Sequence, residues 1–113
     1  MSEPSFKLLQ DLYKESMMAY GFDPQLLKFG EECSEASAAI LKYFSYQTYC
    51  EHHGFTMDSE KRREVWEHIL EEIVDVYLMV GQMRYYLNEQ LQEQFDYKIS
   101  RAFERLVEKK NLG

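Results

Sequence analysis

At 113 residues the chain has the length of one domain and is too short for two. Its 45% hydrophobic and 15% aromatic residues are enough for a buried core, which excludes a chain that stays solvated. A formal net charge of −7 argues against a generic nucleic-acid surface, which needs basic patches, but leaves small phosphorylated substrates open because a bound dication neutralises carboxylates and recruits phosphate oxygens.

Four helices are predicted. The first runs over about 5–20, with Phe6, Leu9, Leu12, Tyr13 and Met17 at spacings of three and four, and ends at Gly21. Asp23-Pro24, a capping residue followed by proline at the first helical position, opens the second. It continues to about Phe44 with the stripe Leu26, Phe29, Cys33, Ser37, Ile40 and Phe44. Residues 45–57 show no clean period and are expected to be irregular, with Cys50 in a loop. The third helix starts near Asp58 or Ser59 and carries Trp66, Ile69, Ile73, Tyr77, Val80 and Leu87; Gly81 marks a bend or a close approach of another backbone. A break near Asn88 leads into the fourth, with Leu91, Phe95, Ile99, Ala102 and Leu106. No alternating run sits between turn residues, so the expectation is one all-α, four-helix bundle-like domain over 1–113.

The chemistry is written in acids. On a helix each residue turns about 100°, so Glu31 and Glu35 share a face and Glu32 flanks it. Glu71, Glu72 and Asp75 repeat the arrangement forty positions on, in the same phase relative to the apolar stripe. A solvated acidic face is the ordinary explanation of such a pattern. Against it, Asp75 is the one charged residue between Ile73 and Gly81, and Ala36-Ser37-Ala38-Ala39 after Glu35 lets helices approach closely. Glu35 and Asp75 are therefore expected to lose water, and clustered desolvated acids are relieved by a dication. Hard oxygen donors favour Mg²⁺, Mn²⁺ or Ca²⁺ over zinc.

GEECSEASAAILKY followed by LEEIVDVYLMV resembles the EExxE…ExxD signature of the MazG-like, all-α nucleoside triphosphate pyrophosphohydrolases, with a likeness extending from about Leu26 to Leu106. The resemblance implies a Mg²⁺-dependent enzyme, with Mn²⁺ as an alternative, that hydrolyses a nucleoside triphosphate at the α-phosphate and releases pyrophosphate, in nucleotide house-cleaning. It implies Glu32, Glu35, Glu72 and Asp75 as metal ligands or water-orienting groups, Glu35 and Glu32 as the catalytic carboxylates, and Glu31 and Glu71 as supporting acids. It also implies basic residues for the phosphates on the following helix, where Arg101 and Arg105 share a face with Lys98 beside them. Arginine forks onto phosphate well, although an ion-pair ladder with Glu104 and Glu108 accounts for the same residues.

Other constellations are weaker. Cys50, His52 and His53 lack the paired spacing of a zinc site. His68 follows Glu64 by four residues, not three, so the Glu-x-x-His pairs of di-iron bundles are missing. Tyr85 and Tyr86 are placed to stack on a base or, more simply, to pack between helices. The helices carry more apolar surface than a small bundle covers, so a homodimer or homotetramer is expected, as the resemblance also implies. Met1-Ser2-Glu3-Pro4 carries no basic region ahead of an apolar stretch, and the two cysteines lack a framework. A cytoplasmic protein without leader, membrane or nucleic-acid partner is expected. The rival is a non-enzymatic helical oligomerisation module, which uses the same stripes and needs no metal.

Overall fold

The computed structural model describes residues 3–56 and 58–112, so the leader expectation, which begins at Met1 and Ser2, lies partly outside the described residues. Three helices follow in order: α1 (Glu3–Tyr20), α2 (Phe22–His52) and α3 (Ser59–Leu112). No strand occurs among the described residues, and no helix is long and apolar enough to cross a membrane.

Local chemistry sets the boundaries. Gly21 stands alone between α1 and α2 at φ 81°, ψ 176°, a conformation open to glycine, and its N–H closes α1 by donating to the Met17 carbonyl at 2.9 Å. The capping position of α2 is therefore Gly21, two residues before the predicted Asp23, and Pro24 sits within the first turn, where a missing N–H costs nothing. At the other end the Phe55 N–H reaches the Cys50 carbonyl at 2.8 Å and the Gly54 N–H that of Glu51 at 3.3 Å, with Gly54 at φ 69°. This is a Schellman stop. It corrects the expected end at Phe44: α2 runs on to His52, and Cys50 is a buried residue of its last turns, not a loop residue. Asp58 opens α3, its carboxylate accepting the Glu60 N–H at 3.1 Å.

The third and fourth predicted helices are one element. The backbone leaves helical geometry at Leu87 (φ −114°, ψ 28°), within a residue of the expected break, but no loop intervenes. A straight helix of 54 residues would span about 81 Å. The longest dimension of the molecule is 52 Å, so the bend at Leu87 is sharp. Gly81 does not bend the helix; it receives the ring of Tyr13 from α1.

α2 and α3 form an antiparallel hairpin. The Phe22 ring stacks on Tyr86 at 5.7 Å and the Tyr43 ring meets the edge of Trp66 at 5.9 Å, pairing early α2 with later α3. Tyr86 thus packs between helices. Positions 25, 29, 32, 36, 39 and 43 of α2 and 65, 69, 72, 76, 79 and 83 of α3 are buried or half-buried. The alternation of four and three is that of a coiled-coil seam, and the two sets are related by the same forty-residue offset as the acids. Compared with the predicted stripes the helices are turned by about one residue. Leu26, Ile40, Phe44, Trp66, Ile73, Tyr77 and Val80 are exposed, as are Phe6 and Leu12 on α1. The bulkiest apolar residues define a face of each helix, and that face is not the one that meets the partner helix.

α1 contributes the buried Tyr13 and Met17 and is tied down by Gln82, whose Nε2 donates to the Tyr13 carbonyl at 2.7 Å. Beyond the bend, residues 92–111 are all exposed. The radius of gyration is 18.8 Å, against about 13 Å for a compact chain of this length.

Candidate metal centre

Rotating the helices by one residue changes which acids are buried. Glu32 and Glu72 occupy the seam, with side chains 14% and 12% exposed, while Glu35, Asp75, Glu31 and Glu71 face solvent. Glu35 and Asp75 are thus exposed and not buried as expected, although Glu35 still loses part of its water to its neighbours. The small residues after Glu35 and the apolar run around Asp75 do allow close packing, but the contact line passes through the preceding acid of each motif.

Carboxylate oxygens of Glu32, Glu35 and Glu72 lie within 4.8 Å of one another. Asp75 falls outside this trio but close enough for its charge to act on Glu35. One oxygen of Glu32 and one of Glu72 are buried with no hydrogen-bond partner, and they are the only such side-chain atoms among the described residues. Their other oxygens have weak company one turn back on the same helix. Lys28 Nζ is 3.6 Å from Glu32, and His68 Nε2 is 3.8 Å from Glu72, with His68 Nδ1 4.0 Å from Glu71. Buried carboxylate oxygens without donors carry a desolvation cost that a cation removes. Two oxygens on one ion sit at most about 4.2 Å apart for Mg²⁺ and about 5.2 Å apart for Ca²⁺ at their usual bond lengths. The trio is of the size that three donors to one hard dication occupy once the side chains close on it.

The carboxyl of Glu35 titrates above its ordinary value of 4.5, chiefly because the charge of Glu32 opposes its own, then through partial loss of water and the charges of Glu72 and Asp75. A folded-state pKa above the unfolded one means that the native state binds more protons in the window between them, so this group favours folding at acid pH and opposes it as pH rises through the folded value. In chelator, Glu35→Gln should therefore melt above the wild type at neutral pH. The difference should shrink as pH falls toward 4.5. Melts across that range check it; a variant that melts lower at pH 7 would show Glu35 holding the fold instead of straining it.

Lys98, Arg101 and Arg105 are exposed on the far side of the Leu87 bend, and no ion pair among the described residues joins them to the cluster or to Glu104 and Glu108. Arg101 donates to the Tyr97 hydroxyl at 3.1 Å. Cys50, His52 and His53 do not form a ligand group either; the two histidines meet ring to ring at 5.3 Å. Lys28 was not singled out in the sequence, although its spacing of four before Glu32, matched by His68 before Glu72, was visible there. Comparison with family models, with curated proteins and with solved structures gave no match.

Proposed function

We propose that the protein is a Mg²⁺-dependent nucleoside triphosphate pyrophosphohydrolase, with Mn²⁺ able to replace Mg²⁺, acting on soluble nucleotides in the cytoplasm. One observation supports this most: Glu32 and Glu72 each bring a buried carboxylate oxygen without a hydrogen-bond partner into a helical seam, and the two residues cluster with Glu35 through oxygens within 4.8 Å of one another. Glu32, Glu35 and Glu72 would hold the ion, with Asp75 near enough to join them. When bound, the ion supplies charge neutralisation at phosphoryl oxygens and an acidified water. Glu35 is the carboxylate suited to orient that water or take its proton, because it is the exposed member of the trio. Glu32 and Glu72 are held by the seam and fix the geometry. The direct test is a panel of nucleoside triphosphates in Mg²⁺ with pyrophosphate and orthophosphate assayed separately. Pyrophosphate from at least one of them is the expected result; none from any removes the proposal.

The bundle is completed by a second copy in this proposal. The exposed stripe Leu26, Ile40, Phe44, Trp66, Ile73 and Tyr77 and the uncovered distal half of α3 support a homodimer or homotetramer. Lys98, Arg101 and Arg105 then serve the phosphates from the neighbouring copy, since their own cluster is out of contact. Light scattering at micromolar concentration should show an oligomer. Mixing Glu72→Gln with Arg101→Ala should restore part of the activity that each lacks alone. A stable monomer, or no complementation, would contradict this arrangement.

The same exposed stripe also favours the rival, an oligomerisation module without catalysis. A melt that is indifferent to Mg²⁺ would decide for it.

A further inference from the structure

A groove of about 460 Å³ opens where α1, α2 and α3 meet, within the size range of small-molecule sites. Glu32 and Asp75 lie along it, so it opens onto the acid cluster, and Lys28 stands beside them. Leu12, Tyr13, Leu78 and Met79 give it apolar walls.

Gln25 also lines this groove and is only 6% exposed. Its amide makes no hydrogen bond to any described residue. It is not among the sealed, unpartnered atoms, which belong to Glu32 and Glu72, so its amide stays open to the groove. The other buried glutamine, Gln82, behaves differently: it is 3% exposed and spends its amide nitrogen on the Tyr13 carbonyl, fastening α1 to α3. Gln82 is a structural amide and Gln25 is not. A seam position filled by leucine or methionine would pack as well, without a polar group to desolvate.

A primary amide offers a donor and an acceptor side by side, the complement of the acceptor–donor edge of a nucleobase. The groove's apolar walls suit the faces of such a ring, and its acidic end suits metal-bound phosphates. We infer that the base of a nucleotide sits in this groove and that Gln25 reads its polar edge, setting which base is accepted. The ring end rests on the groove itself; the phosphate end rests on the hydrolase function proposed above.

The test uses the four common nucleoside 5′-monophosphates as probes in Mg²⁺, read by the methyl resonance of Met79, and the triphosphate panel for hydrolysis. One base should shift Met79 at the lowest concentration. Gln25→Leu should weaken that nucleotide roughly 10- to 100-fold, level the preference among bases and leave Mg²⁺ affinity unchanged. The variant should also melt at or above the wild-type temperature, which an amide needed for folding would not allow. Gln25→Glu, which replaces the donor by an acceptor, should redirect the preference toward bases with an amino group at the contacted edge. The inference is overturned if Gln25→Leu keeps the wild-type preference, if it melts well below wild type, or if no monophosphate moves Met79. Binding with base preference but no hydrolysis of any triphosphate would leave the groove standing and remove the hydrolase function. Hydrolysis whose base preference ignores Gln25 would do the reverse.

Discussion

In chelator, Glu72→Gln should melt above the wild type, and in Mg²⁺ the order should reverse. The Glu72 side chain is 12% exposed, with one oxygen buried and without a hydrogen-bond partner among the described residues, and the neighbouring Glu32 has another such oxygen. Glutamine keeps the shape and replaces an acceptor by a donor that can reach the facing carboxylate. Removing an unsatisfied buried group is worth about 1–3 kcal/mol. With metal the balance changes. Mg²⁺ at 100 times its dissociation constant stabilises the native wild type by about 2.7 kcal/mol. The variant has lost a ligand, and its metal affinity should fall by more than about 100-fold, the upper end of what is lost when only a supporting residue is removed. Hydrolysis should fall with it. Paired melts in chelator and in Mg²⁺ check both halves. If the 3.8 Å contact with His68 were the reason for Glu72, the variant would melt lower in chelator and would show no metal-dependent crossing.

Adding one methyl group at each of two helical glycines should have opposite effects. In an open helix interior Gly→Ala gains about 1 kcal/mol from propensity alone. Gly30 sits in such a place: a Cβ there meets nothing within 4 Å, so Gly30→Ala should stabilise by about that amount. At Gly81 the new carbon would overlap the ring and hydroxyl of Tyr13. Tyr13 is 5% exposed and its own backbone carbonyl is held by Gln82, so the ring cannot step aside without leaving the core. Overpacking of this kind costs about 1–3 kcal/mol and exceeds the propensity gain. Gly81→Ala should therefore lower the melting temperature, and the loss should shrink when Tyr13 is also truncated, as a double-mutant cycle would show. Gly30 lies one turn from the exposed Leu26, so a destabilising Gly30→Ala would place it inside the proposed contact with a second copy.

Much of this was legible in the sequence, and the failures share a cause. Spacing of three and four located the helical segments except the last turns of α2, over 45–52, and the recurrence of Glu31-Glu32-x-x-Glu35 as Glu71-Glu72-x-x-Asp75 located the acids. The one-residue phase was missed because a hydrophobic stripe records where apolar side chains lie, not which neighbour covers them. Leu26, Ile73 and Tyr77 are large and exposed, while Gln25, Ala39 and Glu72 are in the seam. The stop of α2 was visible as Gly54 preceded by Tyr43, Tyr46 and Cys50 at the same spacing, but the density of aromatics there obscured it. Gln25 could not have been found from its surroundings in sequence, because an amide without a partner among the described residues is recognised only by its contacts in space.

The attachment of α1 has a consequence for motion. Among the described residues α1 buries Tyr13 and Met17, and Gln82 holds it by an amide hydrogen bond to the Tyr13 carbonyl, whereas α2 and α3 share a seam of six positions each. Free energies of local opening follow buried contact, so the α1 amides should exchange with deuterated solvent well before those of the hairpin. One wall of the groove beside Glu32 is made by α1. The helix with the smaller buried contact is thus also the one whose release would widen the way in and out, so opening of the groove would follow local loosening of α1 and not global unfolding.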